Sequence, residues 1–181
     1  MNSAPGRRTC VLAAALVACA LALAGCAPAL DWRQVAVDAG ALTAMFPCRP
    51  EHRARTVPLG ADSVRMEMVA CTAGASTYAV SYVDIRDPAA VTGALETLRI
   101  VAATNVGGAA PHVESYTLRG MTPNAAAARL RVEGRLPDGK AVREHATFFV
   151  RGLRVYQATV IGAMPAPNAV ETFLDGLKLA P

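Results

Sequence analysis

What this chain of 181 residues lacks narrows its reading before any motif does. No apolar run is long enough to cross a membrane as a mature helix: Val11 to Leu23 is thirteen residues, whereas spanning about 30 Å of hydrocarbon takes roughly 20. Histidine is scarce. His52, His112 and His145 stand in three separate segments, none with a partner at H-x-x-x-H spacing, and no Cys/His cluster has the spacing of a zinc site, so no metal is expected. Ser76, in "AGASTY", lacks the Gly-x-Ser-x-Gly elbow of a hydrolase. Gly107-Gly108 follows a helical segment instead of opening one, so no helix N-terminus points at an anion there. Lysine is rare, and the arginines are scattered through strand and turn segments with no charge block. That distribution describes a solvated sheet face, and no nucleic-acid partner is expected.

What is present begins with an export signal over residues 1–25: Arg7 and Arg8, the apolar stretch to Leu23, then small residues before a cut. Leu23-Ala24-Gly25-Cys26 resembles the lipobox of bacterial lipoproteins. The resemblance implies that diacylglycerol alkylates the Cys26 sulfur, that cleavage falls just before it, and that a fatty acid such as palmitate acylates the new amino group. Three chains on one cysteine would hold a domain on the membrane essentially permanently. Ala27 in the next position, by the usual lipoprotein sorting pattern, implies the outer membrane, with the domain facing the periplasm. Residues 26–32 then read as a lipidated tether and 33–181 as a single domain. Loss of Arg7 and Arg8 with the signal lowers the net charge from +4 to +2.

Cys48 and Cys71 remain after Cys26 is assigned to lipid. In an oxidising periplasm such an isolated pair reads as a disulfide, which matters for a domain with only 5% aromatic residues. A hairpin from "HRARTVPL" into "DSVRMEMV" would set the two cysteines opposite each other if it turned at Leu59-Gly60. A three-residue Leu59-Gly60-Ala61 loop would instead set Ala54 opposite Met66 and leave Cys48 facing Thr72.

Apolar residues recur at every second position in "SVRMEMVAC", "STYAVSYVDI" and "ARLRVEGRL", the pattern of half-buried strands. "VAVDAGALTAMF" reads as one strand and "EHRARTVPL" as a weaker one. Asp87-Pro88 supplies a cap and a first helical proline before Val91, Leu95, Leu98 and Ala102 at helix spacing. In "NAVETFLDGLKL", Asn168 and Glu171 read as a capping box for Val170, Phe173, Leu174 and Leu177. Around "LPDGK", a three-residue loop with left-handed Gly139 pairs Leu130 with Ala146 and Glu133 with Arg143, leaving Val132 against Glu144. The expected class is α+β: an antiparallel sheet of about six or seven strands with two main helices packed on it.

This order, with "ALTAMFPCRP", "YAVSYVDI", "RLPDGKAVREHATFFVRGLRVYQATVIG" and "AVETFLDGLKL", resembles the fold family shared by the PsbP extrinsic photosystem protein and a Ran-binding nuclear import factor. The resemblance covers about residues 33 to 179 and implies an α/β/α sandwich whose known members dock or assemble. It implies a scaffold, not an activity.

The expected role is accordingly a non-enzymatic interaction or assembly accessory, anchored at Cys26, with another envelope protein as partner and no cofactor. A carrier of a small ligand, lipid or peptide is the alternative, with Tyr78, Tyr82, Tyr116 and Tyr156, joined by Trp32, as a candidate groove. An envelope hydrolase stands third. Its acid pair would come from Asp84, Asp87, Glu96, Glu114 or Glu144, of which only Asp87 has a visible task, as a cap. His145, on the outward face of a hairpin strand, reads as solvated.

Overall fold

The computed structural model describes residues 30–60, 62–108 and 110–181, so the expected export signal, the lipobox-like segment and Cys26 lie outside the described residues. From Arg33 the chain forms β1 (Arg33–Val37), β2 (Leu42–Phe46), β3 (Glu51–Leu59), β4 (Asp62–Ala73), β5 (Ser76–Asp84) and helix α1 (Val91–Asn105). It continues with β6 (His112–Ser115), β7 (Ala128–Arg135), β8 (Ala141–Arg151), β9 (Arg154–Gly162), helix α2 (Pro167–Leu174) and β10 (Lys178–Leu179). Seven strands make one antiparallel sheet in the order β3-β4-β5-β9-β8-β7-β6, and β1-β2-β10 make a second, three-stranded one. This is the α+β class that the alternation and helix spacing predict.

Period-two burial sorts the large sheet's side chains to two faces. Met66, Val83, Leu130, Val132, Ala146 and Phe148 pack with Leu95, Leu98 and Ala102 of α1. Val69, Tyr78, Val80, Phe149 and Tyr156 face the other way, onto Leu42 and Phe46 of the small sheet and Val170, Phe173 and Leu174 of α2. Both faces are therefore covered, which is why β8 is buried continuously from Ala146 to Val150.

Several local expectations hold. Asp87 accepts from the Ala89 amide, and Pro88 opens the turn leading into α1. The β7–β8 hairpin has the expected register, Leu130 opposite Ala146, Glu133 opposite Arg143 and Val132 opposite Glu144. Leu136 donates its amide to the Lys140 carbonyl at 2.9 Å, and Gly139 has φ +84°.

Others are corrected. "VAVDAGALTAMF" is not one strand: Asp38, Ala39 and Gly40 all take positive φ and fold it into the β1–β2 hairpin. The α2 cap is Ala166 with Pro167 in the first turn, so Asn168 lies inside the helix and no side chain caps it. The helix stops at Leu174, and Lys178–Leu179 return as β10 beside β2. The β3–β4 register fits neither expectation, because Arg53 pairs with Met68 and Pro58 with Ser63. The Cys48–Cys71 disulfide is nevertheless formed, with Cα atoms 6.0 Å apart. Cys48 precedes β3, in the bend leaving β2, and meets β4 from the three-stranded layer. The bond joins the two sheets and does not close a hairpin.

Candidate functional site

Two clefts open on the sheet's covered faces. The first lies where β6, β7 and β8 pass the start of α2 and has a volume of about 740 Å³. Antiparallel pairing builds its floor in rows: His112, Arg131 and His145 across three strands, Glu114 opposite Arg129 in the next row, and Glu133 opposite Arg143 in the row before. Pro165, Pro167, Val170 and Leu174 supply an apolar wall. "RLRVEGR" alternates so that Leu130 and Val132 turn to α1 while Arg129 and Arg131 turn to α2. The residues read as a solvated face thus line one concave surface.

Carboxylates hold the guanidinium groups in place. Arg131 Nη2 donates to Glu114 Oε1 at 3.2 Å, Arg143 Nε to Glu133 Oε1 at 2.8 Å, and Arg129 pairs with Asp175. Arg129 also lies 5.5 Å over the Tyr116 ring, and its buried Nε has no hydrogen-bond acceptor among the described residues. The arginines leave an electrostatic signature on His145, which is half-buried rather than solvated. Burial first, then the charges of Arg131, Arg143 and Arg129, pull its pKa below the ordinary histidine value. Glu114 is lowered too, but for the opposite reason: its charged form is favoured by the 2.6 Å bond to His112 and by Arg131.

The second cleft, about 680 Å³, lies between the β4–β5 end of the sheet and the first turns of α1, with Glu67, Tyr82 and Asp84 in its lining. Beside it runs a polar network that is buried at Asp38 and Tyr156 and open to solvent at Asp84. Arg154 clasps Asp84 with two 2.7 Å bonds, reaches Asp38, and sits 5.0 Å over the Tyr82 ring. Tyr156 donates its hydroxyl to Asp38 at 2.6 Å. Burial and the Asp38 carboxylate push the Tyr156 phenol up, so it is a fixed donor. Arg154 holds Asp84 below the usual carboxylate range. This network fastens the strained Asp38–Gly40 turn of the small sheet to the large one.

The four tyrosines take different positions. Tyr78 and Tyr156 are 2% and 1% exposed inside the core, with Tyr78 edge-on to Trp32 and Phe173 and Tyr156 stacked on Phe149. Tyr82 lines the second cleft, while Tyr116 lies under Arg129 beside the first. They form a packing layer between the sheets and share no open groove. His112 and His145 share the first cleft, whereas His52 lies 3.4 Å from Glu67 on the β3–β4 hairpin. Ser76 is buried at the start of β5, opposite Gly162.

Glu144 is the residue whose environment the sequence reading missed. It is 4% exposed, between Val132 and Ile161 on neighbouring strands, and burial raises its pKa to about 7. The mismatch of Val132 against Glu144 was its visible signal; its depth was not. No family model and no curated protein matches this chain.

Proposed function

We propose that this chain is a lipid-anchored envelope protein that works by binding: Cys26 holds it at the membrane, and the β6–β8/α2 cleft takes an acidic, extended segment of a partner protein. One observation carries the reading. Three arginines from two adjacent strands face a single apolar wall, each kept in position by a carboxylate that an incoming acid can replace. Guanidinium groups bind carboxylates through paired, directional bonds, and their weak hydration suits partly buried sites. The fold resemblance, to families whose known members dock or assemble, points the same way. The lipobox resemblance supplies the address.

A photo-crosslinking residue at His112, on the rim of this cleft, is expected to trap one envelope protein in the native cell. The same residue at Thr97, in the other cleft, is expected to trap none. The reverse pattern would refute the placement.

The cleft volume also favours a second reading, a carrier of a small carboxylate, because it falls within the range of small-molecule sites. Native mass spectrometry separates the two. A small adduct lost on changing Arg131 to alanine would support the carrier, and a protein crosslink without one would support docking.

A further inference from the structure

We infer that the domain rests directly on the lipid surface, seated by the end of the large sheet that carries the Gly74–Ala75 turn and the loop after β9, with Met164 as the side chain in contact with lipid. This rests on the proposed acylation of Cys26.

Leu30 is four positions after Cys26, and a fully extended chain of that length spans about 14 Å at most. No slack is added on the domain side. The Leu30 side chain lies 3.5 Å from the position a Cβ on Gly74 would occupy, and the Asp31 amide donates to the Pro47 carbonyl at 2.8 Å. The chain is therefore fixed to the domain from residue 30, beside the turn between β4 and β5.

Strand pairing says what else sits at that end. Ser76 is the partner of Gly162, so the loop that follows β9 starts next to the Gly74–Ala75 turn. That loop reads Ala163-Met164-Pro165-Ala166, and Met164, 78% exposed, is the most exposed large apolar side chain among the described residues. Together with Gly74 and Ala75 it makes an uncharged stretch at this end, flanked by charge: Gly162 is also opposite Arg143, which places the β7–β8 turn with Asp138 and Lys140 at the same end. The opposite end of the sheet is charged as well and lies farther from the tether. Asp62, Asp84, Arg86, Asp87, Arg151 and Arg154 cluster at its turns. Nine residues of β5 separate the two ends, about 30 Å at strand rise, so a tether of about 14 Å cannot bring the far end to the membrane. Nor does it let the end with Gly74 and Met164 move far away. Contact needs little intrinsic affinity, because a short tether makes it an intramolecular event.

The test uses the full chain, lipidated in cells, purified and reconstituted into vesicles of phosphatidylethanolamine and phosphatidylglycerol. Leu153, 42% exposed in the β8–β9 turn at the far end, is changed to methionine as an internal reference, a nearly volume-conserving swap. Hydrogen peroxide is added, and sulfoxide formation at positions 153 and 164 is followed by peptide mass. Exposure within the domain alone makes Met164 the faster of the two; seating on lipid reverses the order, with Met164 several-fold slower. If the mass of the N-terminal peptide shows acylated Cys26 and Met164 still oxidises as fast as position 153 or faster, the seating is overturned while the anchor stands. If Cys26 carries no lipid, the anchoring reading fails and takes this inference with it.

Discussion

Glu144→Gln is the substitution whose effect is most fully determined by surroundings. The carboxyl is 4% exposed and set between Val132 and Ile161, and burial raises its pKa from 4.5 to about 7. A folded-state pKa above the unfolded one means that the native domain retains a proton the unfolded chain releases. Stability from this group is complete below about pH 4.5 and declines as pH rises to about 7. At 1.36 kcal/mol per pK unit the decline totals about 3 kcal/mol. Glutamine has nearly the shape of the protonated acid and does not titrate. The variant should match the wild type near pH 4 and exceed it by up to about 3 kcal/mol above pH 7. Urea unfolding across this range reads the difference as a shift in midpoint at constant slope. His145 and Asp84 titrate in both proteins and largely cancel. A difference independent of pH, or a wild type that gains on the variant as pH rises, would refute the burial argument.

Replacing Cys48 and Cys71 together by alanine opens a loop with a sequence separation of 23. The expected loss is about 3 kcal/mol through the unfolded chain, lowering the melting temperature by about 10 °C for a domain of this size; an unchanged melt would show that the bond contributes nothing. Gly134→Ala should prevent folding, because its Cβ would lie 1.9 Å from the Val106 carbonyl oxygen at the end of α1. Gly139→Ala meets open space and only a left-handed φ, so it should cost about 1–2 kcal/mol. Equal effects of the two glycine changes in thermal melts would contradict the close approach of α1 to β7.

How much could be read in advance depended on whether side chains had a buried face to obey. The β7–β8 register was legible because Leu130, Ala146 and Phe148 must share one face and Pro137-Asp138-Gly139 is a turn with its own chemistry. The β3–β4 register was not. Residues 51–56 of β3 are exposed throughout, so no apolar pattern distinguishes one pairing from its neighbour. The pairing of Cys48 with Cys71 was legible from the cysteine count, but not its geometry, because the bond is made outside the β3–β4 register. The Asp38–Arg154 contact could not be read, since Asp84, Arg154 and Tyr156 belong to paired strands of the large sheet and Asp38 reaches them only through the packing of the small one. The arginine cleft was half legible: the alternation that turned Arg129 and Arg131 away from the core was plain, but the wall provided by α2 was not.

The central claim is that the arginines of the β6–β8/α2 cleft hold the partner. It is tested most directly by repeating the His112 photo-crosslink in chains carrying Arg131→Glu and Arg143→Glu, with a melt to establish that the double variant is folded. The account predicts that the adduct disappears while the domain remains folded and the proposed acylation of Cys26 is the same in both chains. An adduct of undiminished yield in the folded, acylated variant would contradict it.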